Sequence, residues 1–323
     1  MRAVVSSPDG PILRDVAAPT PGPDDILVRI RAAALNRADL FMLKGAAHGK
    51  VGGAGLSLGL EWAGEIVEVG ANVERWKTGD RVMAAGGSGY SEYAVAHQRR
   101  VYAMPDRLSF TEAAGLPVAL QTMHDAIVTN GKLQPGQSVL IQGASTGVGL
   151  MGLQIAKFLG AGLVIGSSTT AERRARLAEF GADLAIDTRD PSWVASVTEA
   201  TGGKGVDLVI DQVAGPLMNA NLHATRIGGR IVNVGRLGGN TGEFNFDLHA
   251  LRRITYVGVT FRTRSAAEVE AVMAATSTAL GTALADGKLN LPVDHTYPLG
   301  DFAAAFARMA ANQHFGKIVL TLD

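Results

Sequence analysis

The sequence predicts an α/β fold in two parts, a compact β barrel and a doubly wound parallel-sheet domain inserted into it. Three observations carry that expectation. Residues 1–119 read as short β-type runs between glycine and proline turns, strand and helix alternate from residue 120, and the last stretch returns to one helix and one strand. At 323 residues the chain is long enough to bury two cores. The expected boundaries are 1–119 with 263–323 for the barrel, and 120–262 for the insert.

In the first part the runs AVVSS, DILVRIRAAAL, EWAGEIVEVG, DRVMAA, YSEYAVA and RRVYAMP follow one another. Alternation in ILVRIRA and EIVEV sets charge on one face and apolar groups on the other, the pattern of half-solvated antiparallel strands. In the second part SVLIQG leads into a helix over 148–160, GLVIGSS into AERRARLAEFG, and VDLVIDQ into PLMNANLHATRIG; RIVNVG and ITYVGVTF follow. These strands are apolar without alternation, as in a parallel sheet covered by helices on both faces. AAEVEAVMAATSTALGTALADG then reads as a long helix, and the stretch ending in HFGKIVLTLD as a capped helix and a strand that rejoins the first part.

Composition removes several functional classes. Thirty basic and thirty acidic residues cancel, so no overall field draws the chain to nucleic acid, and no nucleic-acid partner is expected. No run approaches the roughly 20 apolar residues of a membrane span, and MRAVVSSPDGP holds too short an apolar run for a signal peptide, so the expected setting is the cytoplasm. The lack of cysteine excludes disulfides, thiolate zinc sites, iron–sulfur ligation and cysteine nucleophiles. The histidines (His48, His97, His124, His223, His249, His295 and His314) include no HxxxH pair, and no metal is expected.

The segment SVLIQGASTGVG, residues 138–149, is the most informative. A strand, a glycine-dense turn and a helix start together form a seat for a dinucleotide pyrophosphate, because free backbone N–H groups and the helix dipole both favour an anion. Gly143, Gly147 and Gly149 also fit the G-x-x-x-G-x-G of a short-chain dehydrogenase, and Gly143, Ser145 and Gly147 spell the G-x-S-x-G of a nucleophile elbow. A short-chain dehydrogenase needs Tyr-x-x-x-Lys, yet the five tyrosines are followed four residues later by Ala94, His97, Asp106, Thr260 and Asp301. A hydrolase with Ser145 as nucleophile needs an upstream oxyanion segment and strand–helix alternation in the first half, and both are missing. The dinucleotide reading places Gly143, Ser145, Thr146, Gly147 and Val148 against the pyrophosphate.

An acid about 20 residues beyond the turn would accept the ribose 2′-hydroxyl of NAD. Here Gly166, Ser167, Ser168, Thr169 and Thr170 offer none, and Arg173 and Arg174 follow within one helical turn. Cations bind a 2′-phosphate that carboxylates repel, so the expected cofactor is NADPH, with Ser168 and Arg173 at its 2′ end.

Separated segments in consistent order, ALNRADLFMLKG, LGLEWAGEIVEVG, GDRVMA, GGSGYSEYA, GASTGVGLMGLQIAKFLGA and HFGKIVL, resemble the zinc-independent quinone oxidoreductases of the medium-chain dehydrogenase/reductase superfamily. The likeness extends to the p53-inducible quinone oxidoreductase subgroup in NRADL, LGLE and GKIVL. It implies a GroES-like barrel joined to a Rossmann domain. Zinc alcohol dehydrogenases of the superfamily carry a Cys near the position of Asn36 and a Gly-His-Glu where this chain has Gly59, Leu60 and Glu61. Without that Lewis acid alkoxide chemistry is disfavoured, whereas quinones and activated enones need only hydride delivery.

The resemblance assigns Asn36, Asp39 and Glu61 to the cleft where hydride is exchanged, and Thr122 to the entry of the cofactor domain. Arg173 matches a family Lys, and Thr188, beside Arg189, stands where a Tyr can occur. Gly235 and Phe261 take positions whose backbone lines the cofactor. Asn312, Gly316 and Lys317 resemble the closing N-x-x-x-G-K signature that reaches the cofactor from the barrel. The expectation is NADPH-dependent reduction of quinones or other α,β-unsaturated carbonyls without a metal, at a cleft between domains. The alternative is an NADPH-binding sensor or RNA-binding protein with little catalysis. ITYVGVTF, as the last strand of the parallel sheet, invites the same strand of a second copy and so a homodimer.

Overall fold

The computed structural model describes residues 1–43, 45–49 and 51–322. Contacts divide the chain into two units. One comprises 1–118, 261–285 and 290–323, the other 119–260 and 286–289.

In the first unit the longest strand is Asp25–Ala34. Its alternation buries Ile26, Val28 and Ile30 and leaves the intervening residues half-exposed, until Ala32, Ala33 and Ala34 are all buried. Small residues are tolerated there because the strand is flanked on both sides. Glu61–Val69 pairs with it antiparallel on one side, and Lys317–Thr321 joins on the other with Val319 opposite Ala34. The resulting seven-stranded sheet closes over a core that includes Val4, Trp62, Ile66, Tyr90, Phe306 and Ile318. Each fully buried large aliphatic side chain contributes roughly 1.5–3 kcal/mol.

The second unit is a six-stranded parallel sheet in the order Leu184–Ile186, Leu163–Ser167, Ser138–Gln142, Val206–Asp211, Thr225–Asn233, Thr255–Gly258. In chain order this is 3-2-1-4-5-6, which reverses direction between Ser138–Gln142 and Val206–Asp211. Ligands of open α/β sheets bind outside the carboxyl ends of the strands at that reversal. Val139, Leu140 and Ile141 are fully buried, as expected of a strand covered on both faces. The last strand is shorter than the run ITYVGVTF, ending at Gly258, because its pairing partner Thr225–Asn233 ends at Asn233, directly opposite. No helix among the described residues is long and apolar enough to cross a membrane.

Candidate active site

In the first unit five polar side chains meet below the surface. Asn36, Asp39, Glu61, Tyr90 and Lys317 come from the loop after one strand, a short helix, a second strand, a loop and the closing strand, and all are buried. The Asn36 amide bridges the two charges. Its Nδ2 donates to Glu61 Oε1 at 2.9 Å and its Oδ1 accepts from Lys317 Nζ at 2.9 Å, while Lys317 Nζ also donates to Glu61 Oε1 at 2.5 Å. Glu61 Oε2 accepts the Val118 N–H at 2.9 Å. A buried ion pair is tolerated only when its remaining hydrogen-bonding capacity is met, and this ring meets most of it. Gly115 makes room for the lysine stem, since a Cβ there would lie 2.8 Å from Lys317 Cγ.

Beside the ring, Asp39 Oδ2 accepts the Tyr90 hydroxyl at 2.6 Å and the Asn36 N–H at 2.6 Å, whereas its Oδ1 finds no partner among the described residues. Burial pushes the Asp39 carboxyl up to about 7, against the pull of the Tyr90 and Asn36 hydrogen bonds. The Tyr90 phenol is raised well above its ordinary value, by burial first and then by the Asp39 charge. The pair therefore holds protons near neutral pH.

In the second unit the strand Ser138–Gln142 breaks at Gly143, whose φ of 69° is left-handed, and Thr146 caps the helix Gly147–Phe158 by accepting the Gly149 N–H at 2.9 Å. Gly149 is required by close approach. A Cβ there would sit 2.6 Å from both Ala144 Cα and Gly143 O. The amide N–H groups of Ser145, Gly147 and Val148 have no acceptor among the described residues, which leaves a cluster of donors at the helix start. The turn is held from below. Gly143 N–H donates to Ser167 Oγ at 2.9 Å, Ser167 Oγ to Gln142 Oε1 at 2.6 Å, and Thr146 Oγ1 to Gln212 Oε1 at 3.1 Å. Gly235 lies in the turn after Thr225–Asn233, its N–H on Asp211 O at 3.2 Å. The donor cluster, the dipole and the sheet reversal coincide, an arrangement that fits a dinucleotide pyrophosphate.

At the end of Leu163–Ser167, Ser168 Oγ donates to Ser145 Oγ at 3.0 Å. Arg174 and Arg189 are bonded there. Arg174 Nη1 donates to Ser168 O at 2.8 Å and Asp187 Oδ2 at 3.0 Å; Arg189 donates to both Asp187 oxygens, at 3.2 and 2.9 Å, and to Thr169 O. Arg173 lies half-buried on the helix Ala171–Ala175. Thr122, half-buried in the helix Pro117–His124, belongs to the second unit. Phe261 sits in a bend with the Arg264 guanidinium 4.8 Å from its ring, and groups by contact with the first unit.

Sequence reasoning left out Tyr90, although GGSGYSEYA was one of the segments it marked, and Asp187, which arrives on the neighbouring strand rather than on Leu163–Ser167. Lys317 was expected at the cofactor, and the bonds it makes are to Asn36 and Glu61. Ser145 has a serine, not a histidine, as its side-chain partner, so no nucleophile elbow is assembled. Among the described residues no group of three or more His, Asp or Glu could hold a metal ion.

Comparison with known proteins gives two family matches along the chain. The alcohol dehydrogenase GroES-like domain family matches residues 22–106, and the zinc-binding dehydrogenase family matches 147–278. A quinone oxidoreductase of Lama guanicoe is 30% identical over 330 aligned positions, covering 100% of this chain and 98% of its own. The chain belongs to the quinone oxidoreductase family. Within the medium-chain dehydrogenase/reductase superfamily this membership implies a nicotinamide cofactor. The solved quinone oxidoreductase of Pseudomonas syringae pv. Tomato superposes on this family member with a TM-score of 0.87 at 27% identity, covering 99% of each chain. The highly reducing polyketide synthase easB of Emericella nidulans is 29% identical over 96% of this chain, which spans 12% of that protein's length.

Proposed function

We propose that the chain is an NADPH-dependent reductase of quinones or other activated α,β-unsaturated carbonyls. The observation that carries the reading is the group of unpaired amides at Ser145, Gly147 and Val148, set where the strand order reverses. Those amides, with Thr146 and Gly143 shaping the turn, are the residues that would hold the pyrophosphate. Ser168, Arg173, Arg174 and Arg189 support the phosphorylated form at its ribose. The bound dinucleotide supplies a hydride.

The chain's own residues do the remaining work. Lys317 and Asn36 fix Glu61, and the Tyr90 hydroxyl keeps its proton and donates it in a hydrogen bond to Asp39 Oδ2. With Asp39 raised to about 7, this pair retains a proton at neutral pH, as a reaction that adds a proton after a hydride requires. The Lama guanicoe and Pseudomonas syringae relatives support the quinone class. The test is NADPH oxidation with 1,2-naphthoquinone and simple enones, run beside a direct NADPH-binding measurement. Turnover of at least one acceptor is expected; NADPH binding without turnover of any would refute the enzyme reading in favour of a sensor.

A homodimer is part of the same proposal. Thr255–Gly258 is the edge of the parallel sheet, and Tyr256 on it is 43% exposed beside Phe246, 77% exposed, with Phe244 bridging the two rings. An unpaired edge next to exposed aromatics is a surface that a second copy of the same strand covers.

A further inference from the structure

The strand Leu184–Ile186 runs parallel to Leu163–Ser167, with Ile186 beside Ser167, so its next residue, Asp187, arrives at the place where the ribose end of a dinucleotide is read. An acid is thus present, delivered by the neighbouring strand. It stands in front of two cations. Arg189 spends its Nε and Nη2 on the two Asp187 oxygens, and Arg174 spends Nη1 on Asp187 Oδ2 and Ser168 O. The three groups carry one net positive charge between them. Carbonyls of Ser168 and Thr169 anchor the guanidinium groups, so the cations stay at this strand end whatever the acid does.

We propose that Asp187 is a specificity-determining residue that serves as the chain's own substitute for the cofactor 2′-phosphate, occupying Arg174 and Arg189 and so narrowing the preference for NADPH over NADH. The inference rests on the nicotinamide reading of the glycine turn. A 2′-phosphate that recruits either arginine leaves the carboxylate nearby, and the two anions repel. Protonation does not relieve the clash, because the Arg189 hydrogen bonds hold the Asp187 carboxyl down to about 2. Exposed ion pairs position side chains weakly, and Arg189 is 68% exposed, so the repulsion outweighs what the pairing contributes to order. At about 6 Å, in a dielectric near that of water, removing the repulsion between a carboxylate and a phosphate of charge about −1.5 tightens binding about fivefold, and salt screens the gain.

Asp187→Asn is the informative change, since an amide oxygen still accepts the Arg189 N–H that closes the local turn at 3.0 Å. Asp187→Ser provides a second variant without a side chain long enough to reach both arginines. Isothermal titration of the full chain with NADPH and with NADH reads affinity independently of turnover. The expected result for both variants is NADPH binding about fivefold tighter, NADH binding within twofold of wild type, and a gain that shrinks in 0.5 M salt. NADPH binding that weakens, or an unchanged ratio between the cofactors in folded variants, overturns the role of Asp187 while leaving the functional reading intact. Wild-type protein that binds neither cofactor overturns both.

Discussion

Replacing Lys317 by Met removes the cation from the buried ring while keeping a stem of similar length in the space Gly115 leaves for it. The side chains of Lys317 and Glu61 are 5% and 0% exposed, so water does not replace the lost partner. Removing one member of a buried pair costs about 3–5 kcal/mol. Glu61 keeps the Val118 N–H and the Asn36 Nδ2, which places the loss near the lower end, about 3 kcal/mol. For a unit of this size that lowers the melting temperature by about 6–12 °C. Tryptophan fluorescence is a suitable assay, because Trp62, 1% exposed, lies in the same core. The double variant Lys317→Met, Glu61→Gln removes the stranded charge and recovers at least half of the loss. A single variant that melts within about 1 °C of wild type would refute the reasoning, as would a double variant that loses the sum of both single changes.

Three further outcomes follow from the geometry. Asp39 has its folded value raised from 3.8 to about 7, so the folded state holds the proton more tightly between those limits. The stability from its protonated form is full below about pH 4 and falls by roughly 1.4 kcal/mol per unit as pH rises toward 7. Asp39→Asn keeps the acceptor for Tyr90 and flattens that slope, which denaturant titrations at several pH values would read. Gly149→Ala forces a Cβ to 2.6 Å from Ala144 Cα, and the turn must move; NADPH affinity falls at least tenfold, about 1.4 kcal/mol, by calorimetry. Light scattering should give twice 33.6 kDa for wild type and 33.6 kDa for Tyr256→Lys, which sets a charge on the exposed edge strand; a monomeric wild type ends the dimer proposal.

The sheet of the second unit was legible because its signals are local. A buried strand such as Val139–Ile141 shows as an apolar run, and the corner after it requires glycine in the next few residues. The first unit's strands showed through alternation for the same reason. What was not legible depends on pairing at long range. Tyr90 reaches Asp39 across 51 residues, and nothing near either residue announces the other. Asp187 was missed because a search along one strand does not see its neighbour, and parallel register alone brings Ile186 beside Ser167. Arg174 makes bonds to Ser168 O and Asp187 that depend on where the neighbouring strand ends, and sequence spacing does not show them.

The ring around Glu61 has a consequence for synthesis of the chain. Asn36 and Glu61 emerge from the ribosome early, whereas Lys317 is separated from Glu61 by 256 residues and lies on the strand that pairs with Asp25–Ala34. Until Lys317–Thr321 has been made, the nascent first unit has an open sheet edge and a carboxylate with no cation to face. Both faults are repaired in one event, the docking of that strand. The first unit is therefore completed only after 261–285 and 290–323 have been made, whereas 119–260, nearly all of the second unit, is contiguous and available earlier.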